Sequence, residues 1–432
     1  VTSEPRTLGA PAGPPLASPT ARISAGSWYA LSVFALLNMF SNMDRTALSI
    51  LLEPIRLDLG LNNQELGLVS GMAFVALYVT CGFPLAWAAD RASRVKLLAA
   101  CLGVWSVMTA LCGLARNFPT LFLARMGVGV GEAGCNPAVH SLIGDLFPRH
   151  RRAVAIGVFQ AGAAFGSSVG LYLIGFIGQE YGWRVALQVV GLAAAPVVLL
   201  VLLTLKEPQR PPSHAEAREP FTGAIGAMLR RRPFVYLMVS FSLITLASSA
   251  GSAWIPTFLL RSHGMTLAQI GGWYGAASAL GSMSGLVLGG FIVNRMMRRD
   301  PRWECWVPAA GYTISLPLYL LMILSPQWWM VVMLNCVATF FSAMGGSTTF
   351  AAVQSFTEPR RRATAIAMMG FASALVGQGG GPYFVGLLTD MLLPVSGEES
   401  LRYALLISQA MFVPAIAGYV VAGLHSAKAQ VA

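Results

Sequence analysis

Long apolar stretches separated by short polar loops constrain this chain more than any other feature. Twelve can be read, at approximately 28 to 52, 65 to 88, 95 to 115, 119 to 143, 153 to 178 and 183 to 205, then 234 to 260, 268 to 293, 305 to 325, 328 to 352, 363 to 388 and 402 to 424. A helix of about 20 apolar residues crosses a hydrocarbon core of about 30 Å. Only 11% of the residues are charged and 55% are hydrophobic, whereas soluble domains carry about 25% charged residues. The sequence therefore predicts an all-α integral membrane protein with twelve transmembrane helices.

The cations set the expected topology. With the N-terminus taken as cytoplasmic, most of the 29 lysines and arginines fall on inner segments, among them Arg91, Arg94, Lys96, Arg149, Arg151, Arg152, Arg230, Arg231, Arg232, Arg295, Arg298, Arg299, Arg360, Arg361 and Arg362. The opposite side receives only Arg56, Arg116, Arg184, Arg261 and Arg402. This is the positive-inside pattern. It implies a multi-pass protein of the plasma membrane, or of the inner membrane if the source is bacterial, with both termini cytoplasmic. The formal charge of +11 then reflects topology and attraction to anionic membrane lipids. Divided among short loops, it offers no basic and aromatic face for nucleic acid.

Residues 1 to 25 are rich in Pro, Ala, Gly and Ser, lack the apolar core of a signal peptide, and are expected to be a disordered tail. The six cysteines, Cys81, Cys101, Cys112, Cys135, Cys305 and Cys336, show neither a CxxC motif nor a Cys/His cluster, so they read as small packing residues. His140, His150, His214, His263 and His425 are scattered, with no HExxH and no Ser/His/Asp order. No catalytic centre, metal site or cofactor is expected.

The stretch Leu121 to His140 is apolar enough to cross a bilayer yet contains Arg125 and Glu132, and the first span contains Asp44 and Arg45. A charge at the bilayer centre costs roughly 2.5–3.5 kcal/mol on insertion scales, so such residues face a bundle interior or an aqueous path. Arg125 and Glu132 are seven residues apart, which leaves them about 10.5 Å apart along the axis, too far to pair. Asp44 and Arg45 are adjacent and point in different directions. Pairing between spans 1 and 4 gives a charge-neutral quartet, the arrangement that buried ions require. Glu132, with Asp44, is the candidate for taking up and releasing a proton, and Arg45 and Arg125 are its counter-ions. A permanent structural ion pair is the alternative.

The chain also repeats itself. Asp90-Arg91-Ala92-Ser93-Arg94 after span 2 is echoed by Asn294-Arg295-Met296-Met297-Arg298 after span 8, and Pro148 to Ala153 before span 5 by Pro359 to Ala363 before span 11. Both echoes lie six spans apart. They predict two parallel six-helix bundles, 26–205 and 233–425, joined by a cytoplasmic linker at 206–232 and followed by a tail at 426–432. Phe221, Ile225, Met228 and Leu229, followed by three arginines, suggest a short interfacial helix within the linker.

The run Ala86-Trp87-Ala88-Ala89-Asp90-Arg91-Ala92-Ser93-Arg94-Val95-Lys96 resembles the loop 2 to 3 signature of the major facilitator superfamily, with Ala86 and Ser93 at usual glycine positions. Leu121 to Gly131, with Arg125, Gly129 and Gly131, resembles its fourth-helix motif. Asn42-Met43-Asp44-Arg45, Gly131-Glu132-Ala133-Gly134 and Tyr181-Gly182-Trp183-Arg184 look like the spinster branch. The resemblance implies the major facilitator fold, alternating access by rocking of two halves, proton coupling, a lysophospholipid- or sphingolipid-type cargo and function as a monomer. It also implies a conformational latch in which Asp90, with Arg91 and Arg94, holds the start of span 11 near Arg362. Asn294 and Arg295 form its weaker second copy. Glycines at every fourth position, Gly162, Gly166 and Gly170 in span 5 and Gly281, Gly285 and Gly289 in span 8, permit close backbone approach. The resemblance puts these seams at the interface between the halves.

Spans 7 and 10 supply neutral polar groups, including Thr245, Ser249 and Thr348, to face the ions of the first half. A cavity charged on one side and apolar on the other suits an amphipathic lipid, with Asn42, Asn136, Phe74, Tyr78, Phe341 and Tyr383 as further candidate lining residues. A proton-coupled exporter of drugs or other small organic solutes shares nearly every feature and is the alternative. A channel is disfavoured because the chain lacks ring-like pore repeats.

Overall fold

The computed structural model describes residues 24–148, 151–208, 221–297, 299–300, 302–355, 357–358 and 361–429. The expected disordered tail lies almost wholly outside the described residues, as do residues 209–220 of the linker, Arg149, Arg298, Arg360 and the last three residues. Every regular element described is helical.

The first half contains α1 (Ala25–Leu59), α2 (Asn63–Gly67), α3 (Ala73–Arg91), α4 (Arg94–Cys112), α5 (Phe118–Ala133), α6 (Cys135–Leu146), α7 (Arg152–Ala193) and α8 (Ala195–Thr204). After α9 (Phe221–Leu229) come α10 (Arg232–His263), α11 (Leu267–Gln269), α12 (Gly275–Met297), α13 (Trp303–Leu324), α14 (Trp328–Ala343), α15 (Gly346–Ser355), α16 (Arg362–Ala372), α17 (Gly380–Ser396), α18 (Ser400–Gln409) and α19 (Phe412–Ala429). Eight stretches are long and apolar enough to cross a bilayer, and two of them, Val154–Thr204 and Thr364–His425, have 51 and 62 residues, enough for two passes each. With α1 and the α5–α6 pair, which carry the ionised residues, these account for all the predicted passes.

Local chemistry repeats between the halves. Passes 2 and 8 both open with a capping box, Asn62 with Glu65 and Thr266 with Gln269, which satisfies two orphan backbone donors reciprocally. Each then runs through one π-helical turn, Leu68–Met72 or Ile270–Tyr274. Passes 4 and 10 are both interrupted midway, at Gly134 and at Met344–Gly345. Interruptions at corresponding places are what a duplicated six-pass unit leaves behind. Passes 5 and 6 are two helices that meet within α7 at Gly182 (φ 82°, ψ 163°), a conformation open essentially to glycine alone.

The chain begins and ends at one face of the bundle, called here the terminal face. The apolar cores show how the halves meet. One core joins Leu48, Leu51, Leu66 and Val69 of the first half to Trp254, Phe258, Ile270, Val385 and Leu405 of the second, and these second-half residues lie toward the far face. A separate core, with Phe234, Leu237, Ala352, Ala365 and Tyr419, holds the terminal-face end of the second half by itself. The halves are thus packed together at the far face and apart at the terminal face.

The glycine seams are not at that junction. Cβ atoms at Gly162, Gly166 and Gly170 would meet Ala35, Met39 and Met43 of α1, and those at Gly281, Gly285 and Gly289 would meet Cys336, Phe340 and Met344 of pass 10. Both seams lock helices within one half, because small residues let two backbones touch wherever a neighbour is fixed. The close approaches between halves fall at Gly67 against Pro382, Gly71 against Gly379, Gly175 against Leu267 and Gly386 against Asn63.

Arg94 also departs from expectation. It is buried and pairs with Asp145 of α6 (2.5 Å) and Glu207 just past α8 (2.7 Å), within the first half. Glu207 also accepts from the Val95 N–H (3.0 Å) and Ser93 Oγ (2.9 Å), capping α4. Partial burial pushes its carboxyl up, but these hydrogen bonds and the Arg94 charge outweigh burial and hold it below the ordinary carboxylate range. A carboxyl lowered on folding contributes stability above its unfolded pKa, and that contribution is lost as pH falls through the folded value. Glu207→Gln should therefore lower the melting temperature in detergent at neutral pH by about 2 °C. The gap from wild type should close as the buffer is taken down through the carboxylate range, and a pH-independent gap would refute the assignment.

Candidate functional site

The four ions come from α1 and α5, antiparallel passes whose side chains reach across to one another. Because Asp44 and Arg45 point in different directions and Arg125 and Glu132 sit two turns apart, each residue of α1 meets a different residue of α5. Arg45 donates from Nε (2.8 Å) and Nη2 (2.5 Å) to Glu132 Oε2. Ser41 donates to the same oxygen at 2.9 Å. Arg125 Nη1 donates to Asp44 Oδ2 at 3.0 Å.

The two pairs differ in access. Asp44 and Arg125 are sealed, with side chains 0% and 2% exposed. Glu132 is equally buried at 2%, but Arg45 is 29% exposed. Glu132 Oε1 and Asp44 Oδ1 have no hydrogen-bond partner. An orphaned carboxylate oxygen in a low-dielectric interior is costly. The Arg45 guanidinium lies over the stacked rings of Phe74 and Tyr78, 4.7 and 5.4 Å from their centroids.

Three cavities lie at or beside the junction. The largest, about 750 Å³, opens toward the terminal face. Its first-half wall is polar, with Asn38, Ser41, Asn42, Arg45, Tyr78, Asn136, His140 and Gln160, and its second-half wall is apolar, with Phe350, Ile366, Ala367, Phe371 and Ala374. A middle cavity of about 220 Å³ lies beyond Arg45 and is lined also by Phe74, Arg125, Ser249, Ser252 and Gln378. The third, about 280 Å³, lies inside the second half.

Beyond the middle cavity, polar groups from four passes close the far face. Arg261 of α10 donates to Glu53 of α1 from Nε (2.7 Å) and Nη2 (2.5 Å), and to Asn63 Oδ1 at 3.0 Å. Glu53 also accepts from Arg56 at 2.8 Å. Asp390 of α17 accepts from Asn63 Nδ2 (2.6 Å), from the Asn63 N–H (3.3 Å) and from the Gln64 N–H (2.7 Å). Its carboxylate thereby caps the start of pass 2, where free N–H groups and the helix dipole favour an anion. Gln64 Nε2 donates to Tyr383 Oη at 3.2 Å.

Of the expected lining residues, Asn42, Tyr78 and Asn136 line the large cavity, and Phe74 and Ser249 the middle one. Four others do not line a cavity. Thr245 turns its hydroxyl to the Phe241 carbonyl and packs on Gly377; Thr348 is buried and donates to the Gly345 carbonyl. Phe341 packs on Phe340, and Tyr383 belongs to the far-face closure. Each hydroxyl is taken up by its own helix or by the opposing half, which a spacing argument cannot see. In the expected latch, Arg91 stacks on Trp87 and Arg362 Nε donates to the Thr357 carbonyl. Asn294 and Arg295 are exposed, and the Asp90 side chain lies outside the described residues. Phe83 and Ala86 of α3 and Ile366 of α16 border the same open cavity. Among the described residues no cluster of His, Cys, Asp or Glu could hold a metal ion.

Comparison with known proteins decides the family. The sequence profile of the Major Facilitator Superfamily matches residues 34–382. The chain belongs to that superfamily. Among superfamily relatives it is 31% identical over 381 residues to an MFS-type efflux pump of Mycolicibacterium smegmatis, covering 88% of this chain and 89% of that one. It is 25% identical over 386 residues to the sphingosine-1-phosphate transporter SPNS2 of Danio rerio, covering 82% and 74%. A crystal structure of a bacterial homolog to the human lysosomal transporter Spinster, in an inward-facing and unoccupied conformation, superposes with a TM-score of 0.83 at 26% identity, covering 92% of this chain and 97% of that one. The protein is a spinster-type, multi-pass transporter of the Major Facilitator Superfamily, with the twelve-helix fold of two six-helix bundles.

Proposed function

We propose that this transporter moves amphipathic lipids of the lysophospholipid or sphingolipid type by proton-coupled alternating access, working as a monomer. The observation that carries the reading is the large cavity, which has a polar wall holding Arg45 and an apolar wall facing it. A volume of about 750 Å³ lies within the usual range for small-molecule sites, roughly 300–1,000 Å³. An anionic head would bind Arg45, and an acyl chain would lie along Phe350 and Phe371. With the terminal face taken as cytoplasmic, the reading that the positive-inside pattern supports, the cavity opens inward across the plasma membrane, or the inner membrane if the source is bacterial.

Glu132 is the coupling group and Asp44 with Arg125 its fixed support. An anionic head must displace Glu132 from Arg45, and protonation of Glu132 removes that competitor. Proton and anion therefore bind with positive cooperativity. The halves 26–205 and 233–425 rock about the junction, and Asp90 closes the terminal face when its helix end reaches the start of α16. Export of drugs or other small solutes is the second reading, favoured by the efflux-pump relative. The deciding experiment is transport of a labelled lysophospholipid into proteoliposomes with and without an imposed pH gradient. Gradient-dependent uptake is expected. No uptake, together with gradient-driven movement of a drug probe, favours the second reading.

A further inference from the structure

The third cavity has a chemistry of its own. It lies among α10, the second π turn, α12, α13, α14 and α18, and no charged residue lines it. Part of its polar lining is held by internal hydrogen bonds. Ser252 and Thr339 donate to the carbonyls of Ser249 (3.0 Å) and Asn335 (2.7 Å). Ser248, Ser278, Ser282, Ser342, Tyr274 and Tyr319 add hydroxyls to the lining, and a hydroxyl can both donate and accept. Asn335 Nδ2 donates to Ser278 at 2.8 Å, and Gln409 Nε2 reaches the Ala247 carbonyl. The chamber of about 280 Å³ is thus walled by neutral hydroxyls and by the carboxamides of Asn335 and Gln409, residues only 1% and 3% exposed.

A chamber walled by neutral hydroxyls and carboxamides takes a ligand that can both donate and accept hydrogen bonds. With no arginine or lysine it cannot neutralise an anion, and with no carboxylate it cannot neutralise a cation, so in this low-dielectric site the group must be neutral. The chamber is also in line with the ions. Ser252 lines both it and the middle cavity, and Arg45 lines both the middle cavity and the large one. We propose that the second-half chamber is a specificity subsite for the neutral, hydroxyl- or amide-bearing part of the cargo's head, such as a glycerol or sugar unit, while Arg45 takes the anionic part. The assignment of the anion to Arg45 rests on the function proposed above; the chamber's preference for a neutral polar group does not.

The test uses full-length protein in nanodiscs and three single-chain probes with the same acyl or alkyl chain, bearing a bare phosphate, a phosphoglycerol or a glucoside. Wild type should bind the phosphoglycerol probe about tenfold more tightly than the bare phosphate. Asn335→Leu should bring the two affinities together while leaving the bare phosphate unchanged. Gln409→Met, measured beside it, provides the same readout if the first variant does not fold. Equal affinities in wild type, or a preference that survives in the folded variants, overturns the proposal. If neither phosphate probe binds, the lipid reading fails, and the glucoside decides the chamber. Glucoside binding weakened by Asn335→Leu upholds it, and binding that is absent or insensitive overturns it.

Discussion

Glu132→Gln should leave the transporter folded and able to bind lysophospholipid, but unable to use a pH gradient. Glutamine keeps the shape of the carboxylate and can accept a hydrogen bond from Arg45, but it cannot exchange a proton. Removing the charge frees a guanidinium that Glu132 now engages twice, at 2.8 and 2.5 Å. Full removal of one partner from a buried pair costs about 3–5 kcal/mol; the amide recovers part of this, and the partial exposure of Arg45 lowers it further. The freed Arg45 should bind an anionic head more tightly, and that affinity should lose its pH dependence because the competitor no longer titrates. Uptake in proteoliposomes should fall to the no-gradient level at every pH, while downhill exchange continues. Retained gradient-driven uptake in this variant would sink the coupling role of Glu132 and move the search to Asp44.

The second large effect concerns the far face. Arg261→Ala combined with Asp390→Ala removes all the hydrogen bonds that these two residues make to Glu53, Asn63 and Gln64. Hydrogen bonds to charged groups contribute about 1.5–3 kcal/mol each in favourable settings, and about 5.5 kcal/mol carries an equilibrium from 1:99 to 99:1. Losing several together should move most molecules out of the state described here. Spin labels at Leu57 and Val395, which are 68% and 85% exposed at the far-face ends of opposite halves, should report a longer and broader distance distribution in the double variant. The terminal-face cavity should close in the same population. An unchanged distribution would mean that the apolar core across the junction, with Trp254 and Phe258, is sufficient to hold the closure.

The twelve passes and the four ions are legible in the sequence for one reason: charge inside an apolar helix is conspicuous and has few ways to be satisfied. Adjacency on α1 and a seven-residue separation on α5 already force the pairing across helices. The glycine seams are legible as close contacts but not by partner, since Gly166 touches Met39 rather than the other half because of where α1 is held. Glu53, Arg261 and Asp390 are less conspicuous because charged residues at helix ends are ordinary; only the fold brings four such ends together. The capping boxes at Asn62 and Thr266 carry a local signal, S/T/N followed three residues later by E/Q, and reading them would have placed two more helix starts. The second-half chamber draws on five helices, so no single window contains its pattern.

The rings beneath Arg45 bear on how readily the cycle turns over. A guanidinium deprived of its acid inside a bilayer would ordinarily be stranded, and the resulting energy gap would hold the transporter in one state. Here the faces of Phe74 and Tyr78 offer a resting place for the positive charge, worth about 0.5–2 kcal/mol. Neutralising the acid thus creates no deep trap. In the proposed cycle the arginine would stay where the next anion arrives, with its engaged and released states close enough in free energy to interconvert.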